Sequence, residues 1–256
     1  MDIKFVSISL ADIHDILAYH LSSLSRPVET FFESHVEKSN HYYIYINGIE
    51  AGYTSIHESS MVTQFCLQDA FKRYGQSVFQ RIKKMERVQR AFVPTCDEFF
   101  LSYALDEYRD IKKQAYVFQY HDDEDQRVDD AMFFTRQAET GDMELIRQMS
   151  GDFFEPIEER IRRGELFSTY KKDECAGIGI IEPSKFCSDY AAIGMFTAES
   201  FRNMGVGTAT LRYLIQACKR NQRQPVAGCG YYNHFSKRTL EKAGMYSQTR
   251  LLKIDY

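Results

Sequence analysis

The 256-residue chain has no excess of positive charge: 32 Lys and Arg stand against 36 Asp and Glu, a formal net charge of −4. A surface so balanced does not draw a phosphate backbone, so no nucleic-acid partner is expected. No apolar run reaches the roughly 20 residues that a membrane-spanning helix needs, and no membrane partner is expected either. The opening residues, with Asp2 among them, lack the basic-then-apolar layout of a secretory signal. The six cysteines (66, 96, 175, 187, 218 and 229) are scattered, without a Cys-x-x-Cys pair or histidines at ligand spacing. A metal site is therefore not expected, and reduced thiols in a cytoplasmic protein are the simplest account. What the chain does have is core material. At 44% hydrophobic residues, it suffices for one large domain or two of modest size.

The most distinctive segment is Arg202-Asn203-Met204-Gly205-Val206-Gly207-Thr208. Before it, the run from Tyr190 to Thr197 is short, apolar and free of proline, as a buried strand is. After it, Leu211, Leu214, Ile215 and Cys218 recur at steps of three and four, one face of a helix. Arg220 and Arg223 near the end of that helix suit its dipole. A strand, a glycine loop and a helix N-terminus together make a place for a diphosphate, because bare backbone N–H groups and the positive dipole end converge there. No lysine follows the glycines, which excludes a P-loop. Only Gly205 and Gly207 fit a dinucleotide fingerprint, which needs three glycines.

A second element follows. Pro225 to Tyr232 reads as another strand, and Asn233-His234-Phe235-Ser236 opens a short helix that closes at Gly244-Met245. Taken singly, Gly-x-Gly is a tight strand-to-helix turn and Asn233 a helix N-cap. Taken together and in this order, Arg202-x-x-Gly205-x-Gly207 and the Asn233 helix resemble the GNAT family of acyl-CoA N-acyltransferases. The resemblance spans Met132 to Tyr256 and is strongest from Ala191 to Met245. It implies acetyl-CoA as acyl-donor cosubstrate, no metal, and direct attack by an amine in a ternary complex. It places the backbone of Met195, Phe196 and Thr197 along the pantetheine arm, with one N–H toward the thioester carbonyl. The N–H groups of Met204, Gly205, Val206, Gly207 and Thr208 would hold the pyrophosphate, with Arg202 and Asn203 beside them and Asn233 and Ser236 on the opposite wall. One departure matters. Seven residues after the asparagine, where many members carry a proton-donating tyrosine, this chain has Leu240. Tyr232 is the substitute acid chosen here, with Tyr231 as its neighbour on the strand, and water as donor to a tolerable thiolate leaving group. The strand from Ala191 to Phe196 carries no carboxylate, which leaves Glu199 in the loop beyond as the candidate base.

The first half repeats the second at an offset of 130 residues. Asp69 matches Glu199, Phe71 matches Phe201, Lys72 matches Arg202 and Gly75 matches Gly205. A hairpin through Asn47-Gly48 corresponds to one through residues 171–174, and Phe99 to Tyr108 corresponds to the Asn233 helix. Helices are expected from Ala11 to Leu24 and from Asp142 to Met149, the latter capped by Thr140 or Asp142. The copy is worn: Ser77 stands where Gly207 does, and Asp97 stands near the place of Asn233, both opposing an anionic ligand. The expected architecture is α/β (α+β), two tandem GNAT-like modules, each a mixed, mostly antiparallel sheet flanked by helices. Residues 1–120 form the degenerate module, 121–131 an acidic linker and 132–256 the acetyltransferase module.

The segment from Asp152 to Arg163 corresponds to the family's acceptor region, and its acids Glu155, Glu158 and Glu159 suit either a cationic amine or a solvated helix face. The acceptor, a small-molecule or protein amine, is not named by these residues, and a homodimer stays open. The competing reading is a catalytically silent CoA-binding or regulatory module. A further one makes the first half an interaction module for a protein substrate.

Overall fold

The computed structural model describes residues 1–85, 87–121 and 132–256. The first half runs β1 (Ile3–Ile8), α1 (Leu10–Ser23), α2 (Thr30–Glu37), β2 (Ser39–Ile46), β3 (Ile49–His57), β4 (Met61–Leu67), α3 (Gly75–Lys83), β5 (Arg90–Pro94), α4 (Glu98–Ala104) and β6 (Asp110–Tyr120). The second half repeats that order: β7 (Phe133–Gln137), α5 (Met143–Ser150), α6 (Ile157–Arg162), β8 (Leu166–Lys171), β9 (Glu174–Pro183), β10 (Tyr190–Thr197), α7 (Val206–Arg220), β11 (Gln224–Gly230), α8 (His234–Lys242) and β12 (Met245–Asp255). The expected acidic linker, apart from His121, lies outside the described residues. Among the described residues no helix is long and apolar enough to cross a membrane.

The strands form one mixed sheet of twelve, mostly antiparallel, in the order β1-β2-β3-β4-β5-β12-β6-β11-β10-β9-β8-β7. The two halves are joined by an exchange. The final strand of the first half, β6, lies beside β11 of the second, while the final strand of the second, β12, lies beside β5 of the first. At the centre β6 and β12 pair with each other, antiparallel, from Met245↔Tyr120 to Asp255↔Asp110. Neither half closes its sheet with its own chain.

Side-chain alternation assigns the layers. Ala191 and Ile193 of β10, with Ala227 and Cys229 of β11, join Tyr116 and Phe118 of β6 under α7 and α8. Helix α7 approaches closely because Gly177 and Gly179 leave its path clear: a Cβ at Gly177 would sit 2.9 Å from Val206 Cγ1. On the opposite face α1 and α2 bury Ile13, Leu17, Phe32 and Val36 against Phe92 of β5, Ala115 of β6, Leu251 of β12 and Phe186, which precedes β10. This helical pair from the first half therefore covers the junction and reaches the second.

The elements start where local chemistry directs, with three departures from expectation. Ser9 caps α1, accepting the Asp12 N–H, so the helix begins one residue before the apolar period does. The second entry is capped by Glu139, in a reciprocal box with Asp142 whose carboxylate also takes two hydrogen bonds from Arg136. The single helix expected over 152–163 is two pieces, a 3-10 turn at Gly151–Phe154 and α6, parted at Pro156, which has no N–H to continue a helical ladder. The acids there are engaged locally: Glu155 with Arg147, Glu158 with Arg162, and Glu159 with Arg163.

Because β12 is shared, the two halves are expected to unfold together. Leu251 is fully buried under α1, α2 and β5, and Leu251→Ala is expected to cost about 2–5 kcal/mol. Urea unfolding followed by far-ultraviolet circular dichroism and tyrosine emission should shift as one transition; two transitions, only one of them displaced, would contradict the shared strand.

Candidate active site

Strands β10 and β11 run parallel over only three residue pairs, from Tyr190↔Gln224 to Ala192↔Val226. Beyond these they part. The edge of β10 from Ile193 to Thr197 keeps its partner β9 on one side and has no ladder partner on the other. A cavity of about 900 Å³ occupies the parting, within the range of small-molecule sites. Its long walls are Ile193 to Thr197 of β10 and Gly228 to Gly230 of β11, and its far end is closed by the start of α7 and by α8.

The far end is built to meet an anion. Asn203 and Gly205 hold left-handed backbone at φ of 63° and 90°, which glycine takes freely and asparagine next most readily. The turn they make delivers the chain into α7. The first rung from the loop is Ala209 N–H to Gly205 O, so the N–H groups of Val206, Gly207 and Thr208 precede the helical ladder. All three residues line the cavity, where the helix dipole adds its positive end. Gly207 is held closely: a Cβ there would lie 3.1 Å from Met195 Sδ and from Thr239 Cγ2. On α8, Asn233 is the N-cap, its side chain accepting the Ser236 N–H at 3.0 Å. The capping reading of Asn233 and its place in the cavity wall are both true at once.

Of the residues chosen from sequence, the cavity wall brings together Met195, Phe196, Thr197, Arg202, Asn203, Gly205, Val206, Gly207, Thr208, Asn233 and Ser236. Three others lie outside it. Met204 turns outward, with its N–H on Phe201 O and its sulfur accepting from Lys171. Glu199 projects into solvent 3.5 Å from Arg202. Tyr232 is 74% exposed, packed edge-on against Tyr231. Tyr231 itself stacks on Tyr116 of β6 with ring centroids 4.8 Å apart. A hydrogen bond with Lys113, then one with Tyr116, holds the Tyr231 phenol below its ordinary range. Neither ring reaches the cavity wall.

The wall also contains groups that the motif did not name. Arg238 and Lys242 sit four apart on α8 and supply cations to the cavity wall. Their mutual spacing of four was the available signal, since one helix face repeats at that step. Leu240 closes the inner wall beside Cys229, whose thiol burial pushes above its usual range. On the opposite face Gly194, Gly228 and Gly230 contribute backbone alone, beside the rings of Phe153 and Phe196.

The first half shows what happens when the same parting is filled. Strands β4 and β5 pair in parallel only at Met61↔Arg90 and Val62↔Ala91. Asp97, 2% exposed, caps α4 as Asn233 caps α8, but it also bonds His20 of α1 at 3.1 Å. Gly75 has φ of −50°, and the Tyr103 ring lies so close that a Cβ on Gly75 would stand 2.3 Å from it. Phe99 stacks on Phe65 behind that ring. Aromatic and ionic side chains thus occupy the ground that backbone N–H groups line in the second half.

The His20–Asp97 pair yields a pH prediction. Burial lowers the His20 pKa, but the Asp97 and Cys66 hydrogen bonds and charges outweigh it and bring the value up to about 10. A raised imidazole contributes stability in full below its unfolded value of 6.5 and loses it as pH climbs through the folded value. His20→Gln, which strands a buried carboxylate, is expected to cost about 3–5 kcal/mol near neutral pH. The gap to wild type, read by urea unfolding, should narrow between pH 6.5 and 10; a gap constant over that window would contradict the charged pair.

Comparison with known proteins agrees with this architecture. The family model described as "Acetyltransferase (GNAT) domain" matches residues 9–121, and the one described as "Acetyltransferase (GNAT) family" matches residues 101–245. The two matches overlap across β6, the strand of the first half that lies in the sheet of the second. No curated protein matches the chain. Among solved structures, an acetyltransferase of the GNAT family from Colwellia psychrerythraea superposes with a TM-score of 0.87 at 20% identity, covering 100% of both chains. A GCN5-related N-acetyltransferase from Sphaerobacter thermophilus gives 0.64 at 12% identity, covering 99% of this chain and 95% of its own. A tandem GNAT protein from the clavulanic acid biosynthesis pathway gives 0.62 at 11% identity over 100% of this chain and 98% of its own. At these identities the likeness is one of fold, and with the family matches it establishes the class: the chain belongs to the GNAT acetyltransferase family, with two such domains in tandem.

Proposed function

We propose that the second half transfers an acetyl group from acetyl-CoA to a primary amine by direct attack in a ternary complex, and that the first half, residues 1–120, is a module without a donor cleft of its own. The observation that carries this reading is the parting of β10 and β11 with the α7 N-terminus at its end. A diphosphate handle suits the N–H groups of Val206, Gly207 and Thr208, with Arg202, Arg238 and Lys242 as surrounding cations. An extended amide-bearing arm suits the unpaired edge of β10, by the same pairing that adds a strand to a sheet. Acetyl-CoA supplies an activated thioester carbonyl. The protein's part is to seat that carbonyl against a backbone N–H near Met195 to Thr197, where charge that develops on its oxygen in the transition state is stabilised by a donor already in place. Leu240 has no proton to give, so the departing thiolate takes its proton from the amine being acylated or from solvent. The acceptor is an amine of a small molecule or a protein; the protein works in the cytoplasm with no nucleic acid, membrane or metal among its partners.

The test is an amine panel with acetyl-CoA, followed by free-thiol release, alongside calorimetry of acetyl-CoA binding. Wild type is expected to bind and to turn over at least one amine. Gly205→Glu is expected to abolish binding, because it places a carboxylate where the phosphates belong and forces a side chain onto backbone at φ of 90°. Arg238→Glu should weaken binding by about tenfold or more, the equivalent of about 1.4 kcal/mol. Unaltered binding in Gly205→Glu would remove the site assignment; tight binding without turnover of any amine would mark a silent module instead.

A further inference from the structure

We propose that Glu29, carried by the first half of the chain at the N-terminus of α2, is the general base that deprotonates the acceptor amine in the cleft of the second half. The assignment rests on the acetyl-transfer reading above and supplies the carboxylate that β10 itself lacks.

The placement follows from the sheet. On the face of β11 covered by α7 and α8, the cleft is closed by Leu211, Cys229 and Leu240. An acceptor therefore enters from the opposite face, where Gly194, Gly228 and Gly230 present only backbone beside the Phe153 and Phe196 rings. Gly228 is two residues past the last position of β11 paired with β10, at the narrow end of the parting. That is the end away from α7, hence the end where an acyl group lies when its phosphate handle is held by the α7 N-terminus. The Glu29 carboxyl packs directly over Gly228: a Cβ built there would lie 3.0 Å from Glu29 Cδ and 3.3 Å from Oε2. Gly228 itself is exposed to the cleft. The carboxylate lies directly behind the wall at Gly228 rather than in it, and a side chain at this position would occupy the space between.

The position of Glu29 is fixed by its own backbone. It is the N-cap of α2, accepting the N–H groups of Phe31 at 2.8 Å and Phe32 at 3.3 Å, and it is 7% exposed. The charged groups that bear on it are acids, Glu33 on α2 and Glu182 on β9. Each of these is already engaged: Glu182 with Arg160 at 2.7 Å and with the Thr30 hydroxyl, and Glu33 with the Ser184 hydroxyl and the Lys185 N–H. Among the described residues no ion pair holds Glu29. Burial accordingly brings its pKa up to about 7, against the opposing pull of the two α2 N–H groups. A carboxylate poised there accepts a proton near neutral pH and releases it again.

The step balances simply. The ammonium form of the acceptor gives one proton to Glu29. The freed nitrogen lone pair forms the C–N bond to the thioester carbonyl carbon, and the C–S bond breaks with its electron pair on sulfur. The second proton shed by the nitrogen neutralises the thiolate. Glu29 returns its proton to solvent.

The experiment compares wild type, Glu29→Gln and Glu29→Ser in the full chain, serine being a strong N-cap that preserves the start of α2. With acetyl-CoA and a strongly basic amine identified from the panel, both variants are expected to lose about 10²-fold or more in kcat/KM, with acetyl-CoA binding by calorimetry unchanged. The wild-type levelling of kcat/KM above pH 7 should be absent from the variants, whose rate, limited by the neutral fraction of the amine, should keep rising with pH toward the amine's own pKa. With a weakly basic acceptor that is already neutral, such as hydroxylamine, the deficit should shrink, which a merely structural role would not produce. Variants that keep wild-type rates and the same levelling, or a deficit equal for both acceptors, would overturn the assignment. Absence of turnover in wild type is a different result: it removes the acetyl-transfer reading, and this base with it.

Discussion

Two parallel strands that pair briefly and then separate are the constraint on which the rest of this molecule depends. While β10 and β11 are paired, their facing edges satisfy each other; once they part, a row of backbone donors and acceptors on β10 has no partner within the sheet. Such an edge is costly unless something pairs with it. The first half meets the same requirement after β4 and β5 part, and answers it with side chains: the His20–Asp97 pair bridges the two layers, and Tyr103 and Phe99 fill the space beyond. The second half places glycines, a helix N-terminus and cations at the corresponding ground. One topology thus serves as a packed core in one half and as a ligand-sized cleft in the other.

The exchange of β6 and β12 explains why the packed half matters to the other. With each half completed by a strand of the other, the layer formed by α1 and α2 extends across the junction, and its apolar face rests on β5, β6 and β12 together. This is the reason a side chain from residue 29 meets a backbone position near residue 228. The first half thereby packs a carboxylate against the backbone of a strand that borders the cleft of the second.

Much of the cleft was legible in the chain because its chemistry is backbone chemistry. Gly205, Gly207 and the strand before them are contiguous, and their geometry follows from local dihedral preferences and the dipole of the next helix. The side-chain assignments fared differently. Alternation along β11 leaves Tyr231 or Tyr232 as candidates, but β11 ends at Gly230, and beyond it Tyr231 stacks on β6 while Tyr232 faces solvent. Glu199 is adjacent to the cleft in sequence, yet the 3-10 turn at Glu199–Phe201 directs it outward. Proximity along the chain says little about which way a loop side chain points.

The sequence by itself determined the order of strand, glycine loop and helix around Gly205, the helix opened by Asn233 and the internal repeat, all of which depend on periodicity and dihedral preferences within a few residues. Only the tertiary structure decided which strand completes which half, that His20 and Tyr103 fill the first cleft, and that Glu29 packs over Gly228 of the second half. Those outcomes depend on pairings between residues more than a hundred positions apart, or between the two layers of helices, where many partners satisfy the same alternation and only the packed sheet selects one.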